Sequence, residues 1–410
     1  MIRCPSVARS RFRIALVLAG GAARGAYEVG VVQYILEDVA RALRRPLPID
    51  ILCGTSVGAI NACFLAATSD DPGRAERLAT HWKRMRVEHV VRADPRHIWH
   101  AFRNLFGRPV TGDRQGGLLD PAGLQRLVAT AIPFHRLPEN LRAGHFEALT
   151  VSTTHVASGK TVVYVDQAGG GGIPWSDPTT VVRPAHLTAA HALASAAIPF
   201  LFPAVKLDDE YHCDGGLRQN VPLSPARRLG ARAMIVVSPK YESTEPVSEE
   251  LAVDRESHLP SATFLLGKTL NALLLDRVDN DIVRLQKISA ILEAGSRAYG
   301  SGFVDRLNAE LHAHLKPIDA VLIRSSVNIS QLAAETVREP AFELRAAGVI
   351  GALFRRFGEA AESDILSYLL FDGVFAERLI AIGREDARAR HDELCATFER
   401  ALQGEAQGEA

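Results

Sequence analysis

Three short blocks in this 410-residue chain carry residues able to do chemistry, and they fall in a fixed order. Ser56 stands at the centre of Gly54-Thr55-Ser56-Val57-Gly58, between the apolar run Ile49 to Cys53 and small residues compatible with a helix. A G-x-S-x-G between a strand and a helix is the pattern of a nucleophile elbow, a tight turn that lifts a serine hydroxyl clear of the backbone. Asp214 opens Asp214-Gly215-Gly216, a carboxylate placed by a glycine-rich turn. Such a group can take the serine proton during attack on an acyl carbon and return it to the leaving group. The first block, Gly20-Gly21-Ala22-Ala23-Arg24-Gly25, offers backbone N–H groups at a helix start, where a tetrahedral oxyanion can be stabilised. Together the blocks hold the parts of an acyl-transfer site.

Alone, the serine pentapeptide would be equally consistent with a packing turn. The joint occurrence of all three blocks favours the chemical reading. An aspartate with an ordinary pKa of about 3.9 is a poor base for a hydroxyl, so the reading requires a dry pocket that raises its proton affinity. A histidine relay is the competing arrangement. His258, His312, His314 and His391 all follow Asp214, but none stands in a glycine-rich context that marks it. Asp214 is therefore the expected base.

The elements that must position these residues follow from patterning. Phe12 to Ala19 reads as a buried strand, then comes the glycine loop and a helix from Ala26 to about Leu43. The Ser56 strand, turn and helix come next. This alternation signals a parallel sheet flanked by helices. Asp70 to about Pro138 reads as mostly helical, Phe146 to Ser152 and Thr161 to Val165 as strands, and Gly169 to Gly172 as a flexible loop. His186 to Ala197 is expected to be a helix. Val205 to Leu207 and Tyr211 to Cys213 form a hairpin that delivers Asp214. A helix begins near Leu223, and Ala233 to Val237 is a further buried strand.

Residues 1–11 are expected to be a disordered basic tail, 12–240 the catalytic domain, and 241–260 a linker. Residues 261–400 would be a mostly helical extension and 401–410 a disordered tail. Within the extension, Leu274 to Leu292 carries apolar residues at helical spacing, Ala320 to Arg324 reads as a strand, and helices are expected around 342–357, 363–369 and 375–382.

Composition narrows the function classes. Forty-seven basic and 47 acidic residues balance, so no overall field attracts nucleic acid, and a nucleic-acid partner is not expected. The glycine loop has no lysine of a phosphate-binding P-loop. Five scattered cysteines, Cys4, Cys53, Cys63, Cys213 and Cys395, argue for a reducing compartment and against a disulfide frame or a structural metal site. The N-terminal arginines and the apolar run Ile14 to Ala19 imitate a signal peptide, but the run is too short and feeds the glycine loop. No stretch reaches the roughly 20 apolar residues that cross a bilayer. The expected location is cytoplasmic, with any membrane contact peripheral. Nothing in the sequence sets the oligomeric state.

On these residues the chain resembles the patatin-like phospholipases, lipid acyl hydrolases with a Ser-Asp dyad. The likeness rests on Leu18 to Tyr27, Gly54 to Gly58, Ala194 to Pro203 and Asp214 to Gly216, and covers about residues 12–240. It implies a three-layer α/β/α fold with a mainly parallel central sheet, plus a mostly helical C-terminal extension. It further implies catalytic Ser56 and Asp214, an oxyanion loop of Gly20, Gly21 and Ala22, and support from Arg24, Gly54, Gly58, Gly215 and Gly216. Arg24 would brace that loop or meet phosphate. The substrate would be a lipid or phospholipid, with no cofactor and no metal. Ala22 departs from the family, which usually carries a third glycine there. If the position needs a positive φ, alanine would strain the loop, and a non-catalytic lipid-binding homologue is the alternative.

Overall fold

The computed structural model describes residues 12–90, 119–169, 177–241, 278–311, 315–345, 354 and 364–406. Among them, nine strands form one sheet: β1 (Arg13–Leu18), β2 (Ile51–Thr55), β3 (Ala148–His155), β4 (Thr161–Gln167), β5 (Thr180–Pro184), β6 (Val205–Leu207), β7 (Glu210–Asp214), β8 (Ala231–Tyr241) and β9 (Asp319–Ser325). The order is β5-β4-β3-β2-β1-β8-β9. Pairings β1–β2, β2–β3, β1–β8, β8–β9 and β4–β5 are parallel, and β3–β4 is antiparallel. The hairpin β6–β7 hangs on the end of β3 through the pair Thr153↔Asp214 and its neighbours.

The alternation along β1 shows why the fold has three layers. Ile14, Leu16 and Leu18 enter one core with Tyr27, Val31 and Phe64; Ala15, Val17 and Ala19 enter a second with Val221, Leu223, Ala226 and Ile282. Successive strand residues point to opposite faces, so a strand apolar at every position must be covered on both. Helices Gly25–Tyr34 and Val57–Ala67 cover the first face. Helices Leu223–Arg228 and Val278–Tyr299 cover the second.

Several expectations are corrected. The first helix runs unbroken from Gly25 to Leu43, as expected, but a 3₁₀ turn (Ala22–Arg24) leads into it and it widens into a π-helical turn (Ile35–Val39) between Gly25–Tyr34 and Ala40–Leu43. β5 is an addition; it is half-exposed, and its short Thr180-Val181-Val182 run is followed at once by Arg183 and Pro184. The helix expected from His186 starts at Ala189, behind a Thr188 cap. The expected tail from 401 onward is instead helical through Ala406, and Ala401 is buried. Residues 1–11, most of the glycine loop after Gly169 and the 242–277 segment lie outside the described residues, as do His258, His312 and His314.

The C-terminal part is mostly helical, yet it shares the sheet. β9 lies beside β8, with Ala233↔Asp319 through Val237↔Ile323 in register. Helix Gly373–Arg388 crosses Gly25–Tyr34 so closely that a Cβ on Gly30 would sit 2.0 Å from the Ile380 carbonyl oxygen. Tyr27 donates to Asp386 at 2.9 Å, and Arg384 pairs with Glu37 and Asp38 at 2.9 and 2.6 Å. Ile282 and Leu292, on helix Val278–Tyr299, are buried, the former in the sheet core. Among the described residues no helix is long and apolar enough to cross a membrane.

Candidate active site

β2 ends at Thr55 and a helix begins at Val57, leaving Ser56 alone at the apex with φ 55° and ψ −128°. That backbone is strained for a residue with a Cβ, at a typical cost of about 1–3 kcal/mol. The flanking glycines permit it by close packing: a Cβ on Gly58 would lie 2.4 Å from the Leu18 carbonyl oxygen, and one on Gly54 would lie 2.4 Å from the Gly58 carbonyl oxygen. The Ser56 N–H donates to Ser195 Oγ at 2.8 Å, and Ser195 donates to the Ser152 carbonyl at 2.6 Å. Ser195 thereby anchors the apex to β3.

Asp214 arrives at the same point from β7, 158 positions away. Ser56 Oγ donates to Asp214 Oδ2 at 2.6 Å, and the Gly216 N–H donates to Oδ1 at 2.7 Å. The Asp214 backbone is held on both sides, its N–H by the Ala197 carbonyl (2.9 Å) and its carbonyl by the Thr154 hydroxyl (2.9 Å). Asp214 is fully buried. Burial outweighs the two hydrogen bonds and pushes its pKa up to about 7. The weakness of an ordinary aspartate as a base is thus removed by its surroundings. Gly215 and Gly216 are buried in the turn that follows, beside Ser152 and Thr55.

The glycine loop lies across the apex. A Cβ on Gly20 would meet Ser56 Cβ at 3.1 Å. Its N–H is committed to Asn220, donating to the side-chain oxygen at 2.9 Å and the carbonyl at 3.2 Å. Among the described residues no protein acceptor takes the N–H of Gly21 or Ala22. Ala22 has φ 48°, the left-handed region in which glycine is at ease and alanine is strained. The missing third glycine therefore stands where its freedom would have been used.

Arg24 is held by the C-terminal helices. It is 3% exposed, donating from Nε to Ser367 Oγ (2.9 Å) and from an Nη to Ser330 Oγ (3.1 Å), with Asp364 Oδ1 3.5 Å away and its guanidinium 4.2 Å over the Tyr368 ring. Ser330 in turn donates to Asp364 at 2.5 Å. These contacts tie the turn after the glycine loop to helices Ile329–Arg338 and Asp364–Leu369. Asp364, Ser330 and Ser367 lie over 300 positions away and carried no local motif.

Other parts of the frame also went unnoticed in the sequence. Glu28, fully buried on the helix behind the loop, accepts from Asn61 Nδ2 at 2.9 Å, and Asn61 accepts from Trp82 Nε1 at 3.1 Å. Burial pushes the Glu28 carboxyl well above its usual range, and its hydrogen bond with Asn61 links the loop helix to the serine helix. His212, also fully buried, hydrogen-bonds Thr153 and Tyr164 at 3.0 and 3.1 Å, fastening β7 to β3 and β4. Among the described residues no histidine bonds to Ser56 or Asp214; His391 instead bonds Tyr34 at 3.0 Å. Among the described residues no cluster of three or more histidine, cysteine, aspartate or glutamate side chains is arranged to hold a metal ion.

The uncharacterized protein YjjU of Escherichia coli (strain K12) is 28% identical over 235 residues, which is 55% of this chain and 51% of YjjU. The chain thus spans about half the length of that curated relative. Among solved structures, VipD from Legionella pneumophila aligns with 90% of this chain and 67% of its own at 14% identity and a TM-score of 0.34. Human GIVD cytosolic phospholipase A2, in complex with methyl gamma-linolenyl fluorophosphonate, aligns with 99% of this chain and 61% of its own at 12% identity and a TM-score of 0.41. A model of the patatin-like phospholipase family matches residues 16–227, 212 of the 410 residues, and the chain belongs to that family.

Proposed function

We propose that the chain is a lipid acyl hydrolase of the phospholipase A or lysophospholipase type, working through a covalent acyl-Ser56 intermediate. The observation that carries this reading is the 2.6 Å contact between Ser56 Oγ and a buried Asp214 whose pKa is raised to about 7. Family membership supplies the substrate class, a carboxylic ester of a lipid.

In the first step Ser56 Oγ attacks the acyl carbon while its proton passes to Asp214. The carbonyl oxygen becomes an oxyanion facing the Gly21 and Ala22 N–H groups, with Gly20 held in place by Asn220. One such donor typically contributes about 10²–10³ in rate. The C–O bond to the leaving alcohol then breaks, and Asp214 returns the proton to it. A water molecule next gives its proton to Asp214 and attacks the acyl-serine; Ser56 leaves and regains that proton. Neither half-reaction requires a histidine. Residues 12–240 supply the reacting groups, and the C-terminal part braces the loop through Arg24. Contact with the lipid surface is peripheral.

Hydrolysis of a p-nitrophenyl acyl ester tests the reading. Ser56→Ala and Asp214→Asn should each remove turnover, while His391→Ala should not. An inactive wild-type chain across a lipid panel would favour the alternative, a lipid-binding homologue stopped by the strain at Ala22.

A further inference from the structure

A second concave site lies behind the loop that follows Asp214. A cavity of about 410 Å³ opens between helices Leu223–Arg228 and Val278–Tyr299 and the Thr161 and Thr180 ends of β4 and β5. Ser56 is not among the residues that line it. Its volume suits a small amphiphile or the polar part of a larger one.

The lining is lopsided in charge. Arg218, Arg227, Arg284 and Lys316 face Asp177 and Asp281. Asp177 is already engaged, accepting the Thr179 N–H and hydroxyl at 2.8 and 2.7 Å. Among the described residues none of the four cations forms an ion pair. Arg227 is half buried, and burial together with neighbouring Arg228 lowers its proton affinity. A partly desolvated cation beside a like charge is stabilised by an anion, and guanidinium forks match phosphate oxygens in pairs. Val221, Leu285 and Ile288 give the cavity an apolar wall as well.

The cavity also touches the active-site frame. Gln219 lines it, and the Gln219 carbonyl accepts the hydroxyl of Thr55, the residue before Ser56, at 3.0 Å. Asn220, next in sequence, holds the Gly20 N–H. A ligand drawing on Arg218 would bear on this same stretch.

We propose that the cavity is a binding site for a phosphate group, free or as a monoester, distinct from the position of the scissile ester, and that its occupancy steadies the 218–220 stretch against Thr55 and Gly20. The group would come either from a lipid headgroup or from free phosphate; the recognition chemistry is shared.

Binding is read on full-length Ser56→Ala protein, so that no turnover enters. Titration calorimetry with inorganic phosphate is paired with flotation on phosphatidylcholine vesicles with or without phosphatidic acid. Arg284 and Lys316 are exposed, so Arg284→Gln and Lys316→Gln test the charge without disturbing the core. Saturable phosphate binding, weakened about tenfold in the double variant, is expected for charge-assisted contacts. With that result, an added preference for phosphatidic acid vesicles that the double variant loses identifies a headgroup, and equal flotation identifies free phosphate. No saturable phosphate binding, or binding unchanged in the double variant, overturns the proposal. Since binding is measured without catalysis, either result is independent of whether Ser56 is the nucleophile.

Discussion

Replacing Asp214 by asparagine should abolish hydrolysis and yet stabilise the fold at alkaline pH. Asp214 has its pKa raised from 3.8 to about 7 by complete burial, so the folded state favours the protonated carboxyl. By linkage, that preference costs the protein nothing below the unfolded value near 4 and destabilises it progressively as pH rises through 7. At 1.36 kcal/mol per pH unit, the full penalty above pH 7 is about 4 kcal/mol. Asparagine does not ionise, so it escapes the penalty; an imperfectly paired amide takes back about 1–3 kcal/mol. The sign of the difference at a single pH is therefore less telling than its change. Urea unfolding of both proteins at pH 5 and pH 8 should show the stability gap moving in favour of Asp214→Asn by about 2–3 kcal/mol, because every other titrating group is common to the two. A gap that stays constant between those pH values would refute a raised Asp214 pKa, and with it the argument that burial makes this aspartate a competent base.

The same pKa governs turnover: kcat/KM should rise with pH along a limb centred near 7, and a flat profile down to pH 5 would contradict it. Ala22→Gly should relieve the φ of 48°, raising stability by about 0.5–1 kcal/mol once the added freedom of glycine in the unfolded chain is subtracted, with esterase activity kept or increased. A fall in both would show that the Ala22 methyl is needed where it stands. Asp364→Asn leaves the buried Arg24 guanidinium without its carboxylate and should cost about 3–5 kcal/mol in unfolding experiments. Its kcat should fall more than its KM rises, since the defect lies in the loop facing the oxyanion; an unchanged kcat would detach Arg24 from loop positioning.

Much of the catalytic half was legible because its signals are local. Apolar runs at β1, β2 and β8 mark strands covered on both faces, and the glycines flanking Ser56 mark a turn that no larger residue allows. The hairpin ahead of Asp214 was equally readable from Asp208-Asp209-Glu210 between its two strands. β5 escaped because a half-exposed edge strand has no alternation to find. Arg24 was visible as a conspicuous residue, but its partners Ser330, Asp364 and Ser367 come from helices Ile329–Arg338 and Asp364–Leu369, more than 300 positions on, and meet it only in the folded chain. The same holds for Glu28, Asn61 and Trp82, whose polar chain is a property of three packed helices. The expected break at 241–260 followed a change in composition, whereas β9 beyond it pairs with β8 before it. Composition reports solvation of a segment and is silent on which strands will be neighbours.

The account rests on Ser56 being a nucleophile activated by Asp214. Its most direct test is the reaction of the full chain with a fluorophosphonate, read by intact-mass and peptide mass spectrometry. One adduct per chain, located on Ser56 and lost in Asp214→Asn, is the predicted result. An unlabelled wild-type chain, or labelling of Ser56 that proceeds equally well without the Asp214 carboxylate, would contradict it.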